Sequence, residues 1–381
     1  MRKNALRTKL CEMLDIEYPI LLAGMGGMGG PVAGPELVAA VSNAGGLGIL
    51  GCAFLPPNKI EEMIRQTRKL TDRPFGIDTV LPAEAPQTGT TAEMRAEVPA
   101  QHSEEADVIP EIMQELELSV PKERTQRSLS DAADDTVFTG DLFKEEIEII
   151  LEYRVPVYAA GLGDPGPYMD DFRKRGIKVI GVVGHTRSAR RVAKSGVDII
   201  VAQGRDAGGH TSRIGTIALI PQVVDVVSPI PVVAAGGIGD GRGLVASLAL
   251  GAVGVWCGTI FLATPESLYE DYQKQSIINA SEDDTVVSRV ITGKEARIYK
   301  NSLAAAWAKR GLPTLPMPLQ TMVVLPILDA AFEARRADIV PTPAGQISGI
   351  VHELKPAGKI VEEMVESAHQ VLEEFWRMKP A

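Results

Sequence analysis

The chain has 381 residues, of which 45% are hydrophobic and 23% charged, and its formal net charge is −10. An acidic chain without a Lys/Arg stripe has no electrostatic surface for nucleic acid or an anionic membrane, so a small-molecule partner is expected. Three scattered cysteines exclude a disulfide framework or a metal site, and the lack of a run of about 18 apolar residues predicts a cytoplasmic protein rather than a membrane one.

Short β-branched runs alternate with helical patterns along the chain, which is typical of a parallel sheet built from βα units. The predicted strands are residues 19–22, 47–50, 74–80, 155–159, 178–183, 198–202, 231–235 and 254–257. The predicted helices between them are residues 35–43, 57–69, 144–153, 167–175, 188–194, 217–227 and 241–250. Eight strands with alternating helices favour an α/β fold of the (β/α)8 TIM barrel class, with residues 1–264 as its domain.

Two segments depart from this rhythm. Residues from about 83 to 141 are rich in acidic, Ser, Thr and Pro residues and predict a polar insertion after the third strand, either a lid or partly disordered. Residues 265–340, with helical patterns at 300–309 and 327–336, predict a smaller helical cap on the substrate side. Residues 341–381 should return to the barrel and end in an amphipathic helix over 359–378.

Glycines end the last two strands of the predicted barrel. Gly236 and Gly237 follow strand seven, and Gly258 and Thr259 follow strand eight. In this architecture a phosphate commonly binds to the loops after these strands, where glycine lets the backbone approach the anion. The alternative is that these glycines only make tight turns. Their presence at two adjacent strand ends favours a phosphate site.

His210 is the first candidate for a catalytic residue. It follows Gly208 and Gly209 on the loop after strand six, at the barrel face where catalytic groups lie. An imidazole can take a proton from carbon or give one to a substrate. A purely structural histidine is the alternative, and His185, after strand five, competes for the role. The segment after His185 resembles the start of a helix more than a reactive loop.

Residues 24–29 match the G-x-G-x-x-G pattern of dinucleotide-binding folds. Pro31 and Pro35 interrupt the helix that should follow, and strand two ends without the acidic residue that binds a ribose. We interpret these glycines instead as bare backbone beneath a flat ring, with Met25 as an apolar contact.

Taken together, the motifs resemble the nitronate monooxygenase family, formerly called 2-nitropropane dioxygenase, and the similar flavin-dependent enoyl-ACP reductases. The matching segments are residues 18–20, 24–25, 37–51, 74–76, 203–210 (QGRDAGGH), 221–225, 234–243 (AAGGIGDGRG), 258–262 and 344–346. The resemblance covers nearly the whole chain apart from the insertion and parts of the cap.

The resemblance implies a noncovalently bound FMN, with His210 as the residue that deprotonates a neutral nitroalkane or assists its binding. It assigns the phosphate side to Gly236, Gly237 and the segment Trp256, Cys257, Gly258 and Thr259. It assigns the other cofactor contacts to Ala23, Gly24, Met25, Asp78, Gln203, Gly208, Gly209 and Gln346. Two positions depart from the family pattern, since Asp78 replaces a usual Asn and Leu22 a frequent Gln. A carboxylate near a phosphate is unfavourable unless it is protonated or turned away.

The expected reaction is oxidation of an alkyl nitronate with O₂ to a carbonyl compound and nitrite or a related nitrogen species. An NAD(P)H-dependent FMN reductase of an enoyl thioester or quinone is the alternative enzyme, because residues 295–301 and 163–165 are shared in character with enoyl reductases. A flavin-binding carrier or sensor without turnover is the alternative from another class.

Overall fold

Eight parallel strands form a closed barrel. The computed structural model describes residues 5–27, 30–81, 101–119 and 140–377. The barrel strands are β1 (Ile20–Leu22), β2 (Gly48–Gly51), β3 (Phe75–Leu81), β4 (Val157–Gly163), β5 (Lys178–Val183), β6 (Ile199–Gln203), β7 (Val232–Ala235) and β8 (Gly254–Cys257). Hydrogen bonds connect them in the order β1-β8-β7-β6-β5-β4-β3-β2, and a parallel bridge between Leu21 and Leu47 joins the two ends. The predicted barrel and its eight strands are confirmed.

Helices surround the barrel and continue into the cap and the C-terminal segment. They are α1 (Lys9–Leu14), α2 (Pro35–Asn43), α3 (Pro57–Leu70), α4 (Ser103–Asp107), α5 (Ile109–Glu115), α6 (Gly140–Glu152), α7 (Met169–Lys174), α8 (Thr186–Lys194), α9 (Thr216–Val227), α10 (Gly241–Ala249), α11 (Asp271–Ile278), α12 (Ser302–Lys309), α13 (Leu319–Glu333) and α14 (Ala357–Arg377). All the helices predicted between strands are present. The one predicted over residues 167–175 is divided into a 3₁₀ turn, Gly166–Tyr168, and α7.

Apolar side chains fill both sides of the barrel wall. Leu21, Ile49, Ile180 and Val201 belong to the cluster inside the barrel, and a larger cluster packs the strands against the helices. Strands buried on both faces read as continuous apolar runs, which is why their positions could be predicted.

The region predicted as a smaller helical cap contains strands as well as helices. Besides α11, α12 and α13 it contains the antiparallel strands β9 (Thr285–Ser288) and β10 (Ala296–Tyr299). β10 also pairs with the two-residue strand Gly209–His210 on the loop after β6. The β-branched pair at 286–287 favours a strand, which was not predicted from the sequence. The helix predicted at 327–336 is α13, which begins eight residues earlier.

The predicted insertion is described only in part. Residues 82–100 and 120–139 lie outside the described residues, so its prediction as a lid stays a prediction. Residues 101–119 contain α4 and α5. Glu115 of α5 accepts hydrogen bonds from Lys309 and Arg310 of the cap, at 3.0 and 2.7 Å, and Arg336 donates to the carbonyl of Leu116 at 2.9 Å. The described part of the insertion is therefore fixed to the cap.

The C-terminal helix α14 packs against α10 and α2, two of the helices that surround the barrel. Ser367 accepts a hydrogen bond from the backbone nitrogen of Gly241, at the start of α10, at 2.9 Å. Met364 and Ala368 are buried, whereas Phe375 near the end of the helix is 59% exposed. In the part of the chain that the structure describes, no helix is long and apolar enough to cross a membrane.

Candidate active site

Two glycines after β7 form a cradle of backbone N–H groups. Gly236 and Gly237 have φ angles of 101° and 70°, a region that residues with a Cβ rarely adopt. A Cβ on Gly236 would lie 2.9 Å from the backbone nitrogen of Ala207 and from Thr216 Oγ1. Neither glycine donates its N–H to another residue in the described ranges. Both donors are therefore available to an anion.

The turn after β8 adds further donors beside this cradle. Gly258 follows β8, and Thr259 begins a 3₁₀ turn, Thr259–Phe261. Thr259 Oγ1 accepts a hydrogen bond from the backbone nitrogen of Gly345 at 2.9 Å, so its own O–H can point elsewhere as a donor. This donor set, formed by backbone N–H groups and one hydroxyl without a cation, fits a phosphate group in chemistry and position.

His210 is held by both its backbone and its ring. Its backbone pairs with Ala296 of β10, and its carbonyl accepts a hydrogen bond from Gln203 Nε2 at 2.6 Å. Its Nε2 lies 3.0 Å from Thr292 Oγ1, and that hydroxyl donates to the carbonyl of Lys294 at 3.3 Å. We therefore assign the proton to Nε2, which leaves the lone pair on Nδ1.

Burial sets the charge of this histidine. Loss of solvent and the nearby Lys294 ammonium lower the pKa of His210 to about 4, because both disfavour the imidazolium ion. At neutral pH the ring is uncharged and can accept a proton. Burial also lowers the pKa of Lys294. Sequence reasoning missed Thr292 and Lys294, since both lie in the cap, far from His210 in sequence.

Hydrogen bonds to neighbouring elements fix the QGRDAGGH loop that carries His210. Arg297 of β10 donates to the carbonyl of Arg205 at 3.2 and 3.1 Å, and Asp206 accepts from the backbone nitrogen of Thr216 at 2.8 Å. The backbone carbonyl of Asp206 also accepts from the nitrogen of Gln346 at 3.0 Å. These contacts make the loop a rigid support for the ring of His210.

Gly24 and Asp78 meet on the floor of the cavity. A Cβ on Gly24 would lie 2.1 Å from Cβ of Asp78, so only glycine fits there. Asp78 Oδ1 accepts a hydrogen bond from the backbone nitrogen of Gly161 at 2.9 Å. Burial raises the pKa of Asp78 well above its usual range, which favours the uncharged carboxylic acid. The departure from the family's Asn therefore keeps a neutral side chain at this position.

One cavity of 1710 Å³ at the carboxyl ends of the strands brings nearly all the predicted residues together. Its lining includes Ala23, Gly24, Met25, Asp78, Gln203, Gly208, Gly209, His210, Gly236, Gly237, Trp256, Cys257, Gly258 and Thr259. Burial raises the pKa of the Cys257 thiol to about 12, so it is uncharged.

Some residues singled out in the sequence have other positions. The side chain of Gln346 is exposed and does not line the cavity. Leu22 is fully buried in the barrel wall. His185 lies at the cavity rim and caps α8, where its Nδ1 accepts from the backbone nitrogen of Ser188 at 2.9 Å, as its predicted helix start implies.

The glycines at 24–29 do not begin a Rossmann helix. Gly26–Gly27 and Gly30–Pro31 form an antiparallel pair, while Met28 and Gly29 lie outside the described residues. The carbonyl of Met25 accepts hydrogen bonds from the backbone nitrogens of Val32 and Ala33, both at 2.9 Å. The described part of this segment thus forms an antiparallel turn, which differs from the strand-to-helix turn of a dinucleotide-binding fold.

Comparison with known proteins places the chain among flavin enzymes. The family model described as nitronate monooxygenase matches residues 7–367. A Mycobacterium tuberculosis protein named as a monooxygenase is 35% identical over 374 residues, which cover 95% of this chain and 96% of that protein. A Staphylococcus aureus protein named as a nitronate monooxygenase is 33% identical over 383 residues, with 96% and 99% coverage.

Solved structures agree with this placement. A nitroalkane oxidase from Streptomyces ansochromogenes superimposes with a TM-score of 0.76 and 29% identity, covering 96% of this chain and 99% of that one. FabK from Thermotoga maritima superimposes with a TM-score of 0.73 and 29% identity, covering 98% and 100%.

Proposed function

The chain belongs to the nitronate monooxygenase family and is a flavin-dependent oxidoreductase, and from this premise we propose that it oxidises alkyl nitronates with O₂, using FMN. The observation that carries the proposal is the uncharged imidazole of His210 in the same cavity as the glycine cradle after β7 and β8. A base beside a flavin site suits removal of a proton and electrons from one carbon.

The residues of the cavity fit FMN in two parts. The N–H groups of Gly236, Gly237 and Gly258 and the hydroxyl of Thr259 would hold the phosphate. The floor formed by Gly24 would admit a flat ring, since no side chain rises from that position. Neighbouring floor contacts would come from Ala23, Met25, Asp78, Gln203, Gly208, Gly209, Trp256 and Cys257. When bound, FMN would supply the redox chemistry that couples oxidation of the substrate to reduction of O₂.

His210 performs the proton transfer in this proposal. Its Nδ1 takes the α-proton of a neutral nitroalkane, the C–H bond breaks, and the electron pair stays on the substrate as the nitronate. The Thr292 hydroxyl keeps Nε2 protonated and fixes the ring orientation. The ammonium of Lys294, which lines the same cavity, would attract the negative charge that develops on the nitro group. The products would be a carbonyl compound and nitrite or a related nitrogen species.

Aerobic turnover tests the proposal directly. The purified protein loaded with FMN should consume O₂ and release nitrite when it is given ethyl nitronate. Protein without FMN serves as the control. If the loaded protein neither consumes O₂ nor forms nitrite with any alkyl nitronate, the proposed reaction is wrong.

A second candidate is an NAD(P)H-dependent reduction of an enoyl thioester. The superposition on FabK supports it, as does the segment at residues 295–301, whose β10 holds the His210 loop. Consumption of NADPH that depends on crotonyl thioester, in the absence of nitronate oxidation, would favour this reaction.

A further inference from the structure

One face of α13 lines the cavity along the whole helix. Lining residues recur every three or four positions, in Pro318 just before the helix and in Met322, Leu325, Leu328 and Phe332 of α13. At 1.5 Å per residue this row is about 21 Å long. The cavity therefore extends far beyond the space around the reacting atoms.

The N-terminal end of this row lies beside His210. Thr321 Oγ1 donates to the carbonyl of Ile291 at 2.9 Å, and Gln320 Nε2 donates to the carbonyl of Val290 at 3.0 Å. The next residue, Thr292, contacts the ring of His210. A ligand whose reacting carbon lies at His210 can thus extend along α13.

The insertion supplies further apolar side chains. Ile109 and Met113 of α5 line the cavity, and both are at least 90% buried. The contacts of Glu115 with Lys309 and Arg310 fix α5 against the cap. We call the part of the cavity lined by Ile109, Met113, Met322, Leu325, Leu328 and Phe332 the apolar arm.

The volume leaves room for a second large ligand. The cavity measures 1710 Å³, whereas a pocket for one drug-sized ligand is typically about 300 to 1,000 Å³. The cofactor would occupy the part of the cavity above the glycine-lined floor. The six side chains of the apolar arm are apolar and suit a hydrocarbon chain. Asp329, Glu333 and Arg335 also line the cavity, from the C-terminal half of α13 onward, so the hydrocarbon is expected to lie against the six apolar side chains and away from these charged ones.

We propose that the apolar arm binds the alkyl chain of the substrate and makes the enzyme selective for long, unbranched chains. This inference rests on the proposed function and names its substrate class as long-chain alkyl nitronates. Each methylene buried in the arm should strengthen binding about fourfold, the factor that corresponds to about 0.8 kcal/mol.

A chain-length series tests the inference. The nitronates of nitroethane, nitrobutane, nitrohexane and nitrooctane are compared by kcat/KM with the FMN-loaded protein. We expect kcat/KM to rise about fourfold for each added methylene until the arm is filled. A flat series, or a preference for nitroethane, would overturn the inference while leaving nitronate oxidation intact.

Binding of unreactive chains separates this inference from the proposed reaction. Saturated n-alkyl carboxylates from butanoate to dodecanoate are titrated into the FMN-loaded protein, with the flavin absorbance as the signal. Affinity that increases with chain length supports the arm even if no nitronate is oxidised. Affinity independent of length contradicts it.

Blocking variants locate the chain. Leu325→Trp on α13 and Met113→Trp on α5 fill the arm from different helices. If one variant does not fold, the other still tests the inference. Each should abolish the preference for long chains, so that kcat/KM no longer rises with chain length. Ala334→Trp, an exposed position just after α13 that does not line the cavity, is the matched control. Unchanged chain-length dependence in both blocking variants would refute the arm.

Discussion

Replacement of His210 by Asn should slow the reaction of a neutral nitroalkane far more than that of its preformed nitronate. General base catalysis contributes about 10² to 10⁴ in rate. A histidine whose pKa is about 4 is a weak base, so we expect a loss near the lower limit, about 100-fold in kcat/KM. The nitronate has already lost its proton and should react within about threefold of the wild-type rate.

The assay is O₂ uptake with nitroethane and, separately, with ethyl nitronate added from alkaline stock. His210→Asn leaves the backbone pairing with Ala296 unchanged, so FMN content should not fall. His185→Asn is the matched control, because Asn also caps helices well and His185 serves α8 in that role. Equal losses for the two substrates, or no loss for either, would refute the assignment of His210 as the base.

Four further predictions concern single positions. Because the pKa of His210 is about 4, the pH profile of kcat/KM for the neutral nitroalkane should have no inflection near pH 6.5 that is due to His210. An inflection there that disappears in His210→Asn would contradict this pKa. Asp78→Asn keeps a neutral side chain, so titration with FMN should give a Kd similar to that of the wild type. A tenfold change in Kd, which is about 1.4 kcal/mol, would contradict the conclusion that the Asp78 carboxyl is uncharged. Gly236→Ala should weaken FMN binding, because the new Cβ strains the backbone and contacts Ala207. Gly176 also has a positive φ, but no atom lies within 4 Å of a Cβ added there. Gly176→Ala should therefore lower only the free energy of unfolding, by about 1 to 2 kcal/mol. Glu146 has both carboxyl oxygens buried without a hydrogen-bond partner among the described residues, and burial raises its pKa from 4.5 to about 8. Between pH 4.5 and about 8 the Glu146 carboxyl therefore keeps its proton in the folded state but has lost it in the unfolded state. The free energy of unfolding should fall by about 1.4 kcal/mol for each pH unit of increase in this range. Glu146→Gln should remove this pH dependence in denaturant titrations.

The barrel could be predicted because its signals are local. Each strand is a short apolar run that is buried on both faces, and glycines such as Gly176 and Gly251 mark the helix ends before the next strand. The position of His210 and of the glycines after β7 and β8 followed from the rule that active sites lie at the carboxyl ends of barrel strands.

The rest depends on contacts between distant residues. Thr292 and Lys294 reach His210 only because β10 pairs with residues 209–210, a pairing across more than 80 positions that no sequence period reveals. The strand pair in the cap was missed because its two strands have only four residues each. The resemblance to the family assigned Gln346 to the cofactor contacts. In the structure its backbone nitrogen instead donates a hydrogen bond to the carbonyl of Asp206, on the loop that carries His210.

An anaerobic absorbance spectrum of the FMN-loaded protein tests the claim that the protein oxidises alkyl nitronates. Ethyl nitronate and NADPH are added in separate experiments in the absence of O₂. The nitronate should bleach the flavin absorbance, NADPH should leave it unchanged, and air should restore the oxidised spectrum. Bleaching by NADPH alone, with no change on addition of any nitronate, would contradict the claim and identify the protein as a reductase.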